Sequence, residues 1–195
     1  MPILHIYYDY TDPWCFLATF QCDRLKTQVA DLEIVWMPFE IFPDLPPLGA
    51  RPQNAAFLRR KTQYDVDAAT AHMDIRLTVR QDWVTNSHPA LIGSLVAREH
   101  GCFDDYHAAT YKAFFEDGKD INAIDVVVDI AGDCGMDRDL FASALKLEAY
   151  SAEVVRLRLA AEALGVMAVP TFVCGDRAAV GVVGDDALLR VINGT

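Results

Sequence analysis

The chain has 195 residues, 52% of them hydrophobic, so it can bury a core in one domain or in one domain with a large insertion. Acidic residues outnumber basic ones by 28 to 17, and the net charge of −11 argues against nucleic acid and anionic membranes as partners. The sequence has no apolar run near the roughly 18 residues of a membrane span. We expect a cytoplasmic protein, because the N-terminus lacks a signal-peptide pattern and the cysteines are odd in number and scattered.

The first predicted elements form a β-α-β unit. Residues 3–8 are an apolar run typical of a buried strand, and residues 13–29 repeat apolar positions at about the helical period of 3.6. Residues 32–37 form a second apolar run. Because a helix joins the two runs, we expect two parallel strands with a right-handed crossover.

The start of the first helix carries the candidate chemistry, in the stretch Asp12-Pro13-Trp14-Cys15. Asp12 is suited to the N-cap, and Pro13 to the first helical position. Cys15 then lies in the first turn, where the positive end of the helix dipole favours a thiolate. The sequence leaves open whether Asp12 is catalytic or only a cap, and whether Cys15 is reactive or buried.

A proline-rich connection over residues 38–52 leads into a long helical stretch. Caps and closing glycines mark its helices, with Asn122 as one predicted cap. The seven predicted helices cover residues 54–63, 67–77, 90–100, 103–117, 123–134, 138–146 and 151–164.

Strand signals return at the C-terminal end. Residues 169–174 and 178–183 are apolar runs around a Gly-Asp turn, which predicts an antiparallel hairpin, and residues 186–192 form a last helix. The order β-α-β, helices, β-β-α predicts an α/β, thioredoxin-like fold with a large all-helical insertion. The predicted thioredoxin-like domain comprises residues 1–42 and 165–195, and the predicted insertion comprises residues 43–164.

Four stretches give the chain a resemblance to the DsbA-like thioredoxin-fold family, and within it to the FrnE-like subfamily. Residues 12–17 resemble its Cys-Pro-Trp-Cys-Tyr-Ile corner, and residues 36–49 resemble its Pro-Phe-Glu-Leu-Asn-Pro segment. Asn86-Ser87 is similar to a motif ahead of the main helix of the insertion. Residues 165–173 resemble its Val-Pro loop, whose proline is cis in the family. Disulfide oxidoreductases, kappa-class glutathione transferases and 2-hydroxychromene-2-carboxylate isomerases share this architecture.

The resemblance implies one site built from the helix start and the Val-Pro loop, with the insertion over it. In the family the backbone of that loop pairs with an extended peptide or with glutathione. Glutathione is therefore a candidate cofactor or partner, although none is required, and a homodimer is compatible with the relatives. No metal ligands are predicted. The implied substrate-binding residues are Pro13, Trp14, Asn86, Ser87, His88, Val169 and Pro170.

One departure from the family limits the functional reading. The first cysteine of the family's Cys-x-x-Cys motif is replaced by Asp12, which cannot perform thiol–disulfide exchange and raises the pKa of a neighbouring thiol. The leading hypothesis is oxidoreductase-type chemistry with Cys15 as the single reactive thiol. The first alternative is a glutathione-dependent isomerase or transferase on a small aromatic molecule, with Asp12 where those relatives have serine. The second alternative is a peptide-binding module without catalysis.

Overall fold

The computed structural model describes residues 1–71, 77–79 and 83–194. Contacts divide the chain into a first unit, Met1–Ile41 with Val155–Thr195, and a second unit, Phe42–Val154. The elements in chain order are β1 (Ile3–Tyr8), α1 (Pro13–Gln28), β2 (Glu33–Pro38), α2 (Ala55–Thr70), α3 (His88–Glu99), α4 (Phe103–Phe115), α5 (Ile124–Asp133), α6 (Arg138–Ala144), α7 (Glu148–Ala163), β3 (Thr171–Cys174), β4 (Arg177–Val180) and α8 (Asp185–Asn193).

The first unit contains a four-stranded sheet in the order β2-β1-β3-β4. Strand β1 runs parallel to β2, with Ile3 opposite Glu33, and antiparallel to β3, with Tyr7 opposite Thr171. Strands β3 and β4 form the antiparallel hairpin that the sequence predicts. The predicted thioredoxin-like fold, β-α-β followed by helices and β-β-α, is confirmed.

Strand β1 and helix α1 are held in the first unit by buried apolar side chains and by hydrogen bonds from Gln21. Leu4 and Ile6 of β1 and Leu25 of α1 are fully buried. Gln21 of α1 donates hydrogen bonds to the Val183 carbonyl at 2.6 Å and to an Asp185 carboxylate oxygen at 2.9 Å. These contacts fix α1 against the segment that begins α8, so the start of α1 has a defined position.

The C-terminal half of α7 packs against the sheet through a small apolar cluster. Tyr7, Phe39, Ala161 and Val166 are its buried members. The helix ends at Ala163, and Gly165 follows it with a φ of +85°, in the left-handed region that favours glycine. The chain then turns from α7 into the loop that precedes β3.

Several predicted helix boundaries need correction, most by one or two residues at an end. The predicted helices 54–63 and 67–77 form one continuous helix, α2, and residues 72–76 lie outside the described residues. Helix α7 begins at Glu148 rather than Ser151, because an acidic residue in the first turn suits the positive end of the helix. Asn122 is not a cap: Ala123 occupies that position, and the Asn122 side chain donates to the Pro47 carbonyl at 2.8 Å.

The compact units divide the chain at a different point from the predicted insertion. The prediction assigned all of residues 43–164 to the insertion, whereas the first unit resumes at Val155, within α7. The reason is the packing of Ala161 in the cluster with Tyr7 and Phe39. A sequence pattern marks where a helix ends but does not show where its packing partners change.

Candidate functional site

A hydrogen-bonded corner positions the start of α1. Asp12 is the N-cap, and its carboxylate accepts the Cys15 backbone N–H at 2.8 Å. The Asp12 backbone N–H in turn donates to the Asp9 carbonyl at 3.3 Å. The predicted cap and the predicted helical Pro13 are therefore both observed.

Asp9 holds this corner to the chain that follows β2. Its side chain is fully buried, and one carboxylate oxygen accepts the backbone N–H and the hydroxyl of Thr11, each at 2.8 Å. The other oxygen accepts the Ile41 backbone N–H at 2.9 Å. Asp9 thus joins two segments of the first unit that are far apart in sequence.

Cys15 faces the interior. It is fully buried, and burial together with the charge of Asp12 raises the pKa of its thiol well above the ordinary value. A hydrogen bond between the two side chains raises that pKa further, because the protonated thiol donates to the carboxylate. The helix dipole, which alone favours a Cys15 thiolate, is outweighed by desolvation and by the Asp12 carboxylate.

Asp12, in contrast to Cys15, is not fully buried. It keeps some exposed surface, and burial raises the pKa of its carboxyl to about 6. The charge of Asp9 acts in the same direction, whereas hydrogen bonds from Cys15 and the Trp14 backbone N–H lower the pKa. The carboxyl therefore exchanges its proton close to neutral pH.

Asp12 lies in the wall of a cavity of about 270 Å³ within the first unit. The volume is near the lower end for ligand sites, so it suits a small molecule. Of the predicted site residues, Asp12 and Val169 meet here. The lining residues are Asp12, Phe39, Ile41, Arg158, Glu162, Met167, Ala168 and Val169.

The Val169-Pro170 loop has a fixed shape. The peptide bond between these residues is cis. The Thr171 hydroxyl donates to the Ala168 carbonyl at 2.6 Å, and the Gly181 N–H donates to the Pro170 carbonyl at 2.8 Å. Two hydrogen bonds thus hold the loop that lines one side of the cavity.

The other predicted site residues do not line this cavity. Trp14 is partly exposed beside Asp12. Asn86, Ser87 and His88 belong to the second unit, where the Asn86 side chain accepts the His88 backbone N–H at 2.8 Å. The His88 ring lies 2.8 Å from the Ser151 hydroxyl. Their contact with a ligand stays a prediction.

Arg158 is the main cavity residue that the sequence reading missed. It lies on α7, and its guanidinium is 2.7 Å from the Glu162 carboxylate, one helical turn away. Its central carbon lies 5.6 Å from the centre of the Phe39 ring. The spacing of arginine and glutamate predicts a helical ion pair, but nothing in the sequence connects that pair to Asp12.

Residues 1–71, 77–79 and 83–194 contain no group of three or more His, Cys, Asp or Glu side chains placed to hold a metal ion. None of the helices in these ranges is both long enough and apolar enough to cross a bilayer.

The sheet, the capped corner and the Val-Pro loop define a thioredoxin-fold protein with a cavity beside the start of its first helix. A family model, the DSBA-like thioredoxin domain, matches residues 3–193, and the chain belongs to that family. The resemblance to the DsbA-like thioredoxin-fold family is therefore confirmed, and the finer resemblance to the FrnE-like subfamily stays a prediction. The protein YwbO of Bacillus subtilis, whose function is uncharacterised, is 31% identical over 97% of this chain and 95% of its own length.

Solved structures share the fold at low sequence identity. A probable DsbA oxidoreductase from Streptomyces coelicolor superposes with a TM-score of 0.86 at 20% identity, over 100% of this chain and 89% of its own. A 2-hydroxychromene-2-carboxylate isomerase gives 0.76 at 20% identity, over 98% and 93%. The cytosolic disulfide reductase DsbM from Pseudomonas aeruginosa, in a structure with glutathione, gives 0.67 at 19% identity, over 97% and 92%.

Proposed function

We propose that this protein is an enzyme that transfers protons on a small organic molecule through the carboxyl group of Asp12. One observation carries the proposal: at the first turn of α1 the carboxyl lines the cavity, whereas the Cys15 thiol is fully buried. The proposal corresponds to the isomerase or transferase alternative, with glutathione as an optional co-substrate. Disulfide exchange through Cys15 takes second place.

The acid–base properties of Asp12 suit this role. A group with a pKa of about 6 is present in both protonation states near neutral pH, so it can take a proton and return it. Its carboxylate can accept the proton of a substrate hydroxyl or of a bound thiol. In an isomerisation the proton taken from one atom is returned to another, and Asp12 ends in its starting state.

The second candidate remains thiol–disulfide chemistry. It is favoured by membership of the family and by the Pro-Trp-Cys corner, which ends in Cys15. It requires a motion that exposes this thiol and lowers its pKa. A peptide-binding role along the Val169 backbone is the third hypothesis, and it requires neither Asp12 nor Cys15 to react.

We also infer a reducing, cytoplasmic setting, supported by the five cysteines, all of which are free. A homodimer stays a prediction. Neither inference affects the choice between Asp12 and Cys15.

The test compares wild-type protein with Asp12→Asn and Cys15→Ala in two assays. The first follows isomerisation of 2-hydroxychromene-2-carboxylate by absorbance, with and without glutathione. The second follows reduction of a glutathionylated peptide by mass spectrometry. The asparagine variant keeps the shape and the cap, and the alanine variant keeps the carboxyl, so each removes one chemistry.

We expect the Asp12→Asn variant to lose isomerisation by about a hundredfold or more, the usual contribution of a general acid–base. The Cys15→Ala variant should retain the rate within about twofold. Peptide reduction should run no faster than with glutathione alone. Peptide reduction that disappears in Cys15→Ala and persists in Asp12→Asn would overturn the proposal in favour of thiol chemistry.

A further inference from the structure

Arg158 has a buried hydrogen-bond donor that the structure leaves unused. Its Nε–H is inaccessible to solvent and has no hydrogen-bond partner among the described residues. Leaving such a donor unmatched is destabilising, so buried donors of this kind require an explanation. Because Arg158 lines the cavity that holds Asp12, a ligand in the cavity is one source of the missing acceptor.

The surroundings restrict the chemistry of that ligand. Glu162 already accepts from one terminal nitrogen of the guanidinium, which has five N–H donors and can serve a second acceptor. The Phe39 ring lies beneath the same guanidinium, and Phe39 also lines the cavity. Ala161, three residues after Arg158 on α7, packs in the buried cluster with Phe39, so helix and ring are held together.

We propose that Arg158 binds the carboxylate of a small ligand in this cavity, with the flat apolar part of the ligand against Phe39. An ionised acceptor makes a shorter and stronger hydrogen bond to arginine than a neutral carbonyl does. The proposal rests on the proposed function in that both use this cavity. The carboxylate belongs either to a small aromatic substrate or to glutathione.

A bound carboxylate also adds a charge near ionisable groups. Those close to Asp12 are Asp9 and Cys15 in the corner, and those across the cavity are Arg158 and Glu162. A further negative charge in the cavity favours the protonated form of the Asp12 carboxyl. Ligand binding should therefore tighten as the pH falls from about 7 toward 5, and this trend should be absent in Asp12→Asn.

The experiment measures binding by isothermal titration calorimetry at pH 6. The ligands are benzoate, its neutral analogue benzamide, and S-methylglutathione, which carries carboxylates without a free thiol. The proteins are wild type, Arg158→Gln, Glu162→Gln and Asp12→Asn. Glu162→Gln is the matched control, because it breaks the same ion pair but keeps the arginine.

We expect benzoate to bind at least tenfold more tightly than benzamide, and Arg158→Gln to lose at least tenfold in benzoate affinity. Glu162→Gln should bind benzoate as tightly as wild type or more tightly, since it removes a competing carboxylate. If only S-methylglutathione binds, and Arg158→Gln weakens it tenfold, the proposal stands with glutathione as the source. Binding that is equal in Arg158→Gln, equal for benzamide, or undetectable for both carboxylates would overturn it.

The two proposals fail separately. Asp12→Asn should still bind the carboxylate ligand, because Arg158 is intact. Carboxylate binding without isomerisation would leave the Arg158 inference standing and remove the role of Asp12. If Arg158→Gln leaves the KM of isomerisation unchanged and no carboxylate ligand binds, the role of Asp12 stands and the Arg158 inference fails.

Discussion

The two sides of the corner at the start of α1 use the same chemical groups in different ways. On the closed side, Asp9 is fully buried and accepts three hydrogen bonds from Thr11 and Ile41. On the open side, Asp12 lines the cavity, and burial raises the pKa of its carboxyl to about 6. The two carboxylates are three residues apart, yet Asp9 holds two chain segments together and Asp12 can exchange a proton.

The contrast between Asp9 and Asp12 shows how hydrogen bonding and burial separate a carboxyl group with a structural role from one that can react. The Asp9 carboxylate oxygens accept hydrogen bonds from backbone and hydroxyl donors, which hold the side chain in place. Asp12 is desolvated without equal compensation, which leaves its protonation state adjustable. Cys15 belongs to the closed side, because its thiol is buried and donates to Asp12.

The largest effect should follow from breaking the closed side. We expect Asp9→Ala to lower the free energy of unfolding by about 3 kcal/mol, because it removes the buried carboxylate and leaves the part-buried N–H groups of Thr11 and Ile41 without their acceptor. Urea unfolding measures the loss. Asp44→Ala, at an exposed position, is the control and should stay within about 0.5 kcal/mol of wild type. Equal behaviour of the two variants would contradict the role given to Asp9.

A smaller effect should appear on the open side, as a dependence on pH. The raised pKa of Asp12 means that the folded protein prefers the protonated carboxyl, so its stabilisation is complete below about pH 4 and is lost as the pH rises through 6. Relative to Asp12→Asn, the wild type should therefore lose about 2 kcal/mol between about pH 4 and pH 7.

Urea unfolding of both proteins across that range gives the difference directly. The asparagine keeps an acceptor for the Cys15 backbone N–H, so loss of the cap does not obscure the result. A difference in stability that stays constant with pH would show that the carboxyl of Asp12 titrates like an ordinary aspartate.

The smallest effect should come from Cys15. We expect Cys15→Ala to fold with a loss of about 1 kcal/mol, because only one buried sulfur atom is removed. In the wild type, iodoacetamide at pH 8 should modify Cys15 at least about a hundredfold more slowly in the folded protein than in urea, since the thiol is buried with a raised pKa. Peptide mass spectrometry measures both rates. Comparable rates would show that the Cys15 thiol is accessible in the folded protein.

The sequence predicts most of the first unit because its signals are local. Apolar runs mark β1 and β2, a glycine turn marks the hairpin of β3 and β4, and Asp12 followed by Pro13 marks the start of α1. Helix joins are harder to predict. The two patterns that form α2 are both polar-rich, and no proline or glycine lies between them to show where one ends.

The site is only half visible in the sequence. Asp12 and Val169 stand in recognisable motifs, whereas Arg158 is one of several charged residues on an ordinary helical face. Its importance comes from packing, which places α7 against Phe39. The sequence leaves the burial of Cys15 open, because a helix dipole acts along the axis and says nothing about which face is covered.

The cavity is lined by residues from separate parts of the chain, and most of them come from one short segment. Five of the eight lining residues lie between Arg158 and Val169, a single short segment, while Asp12 belongs to the corner at the start of α1. Random substitutions in residues 158–169 can thus reshape ligand preference without touching the hydrogen bonds of Asp9. During divergence, descendants of such a gene can change substrates while inheriting one proton-transfer group, and a mutant library confined to that segment is the natural starting point for redesign.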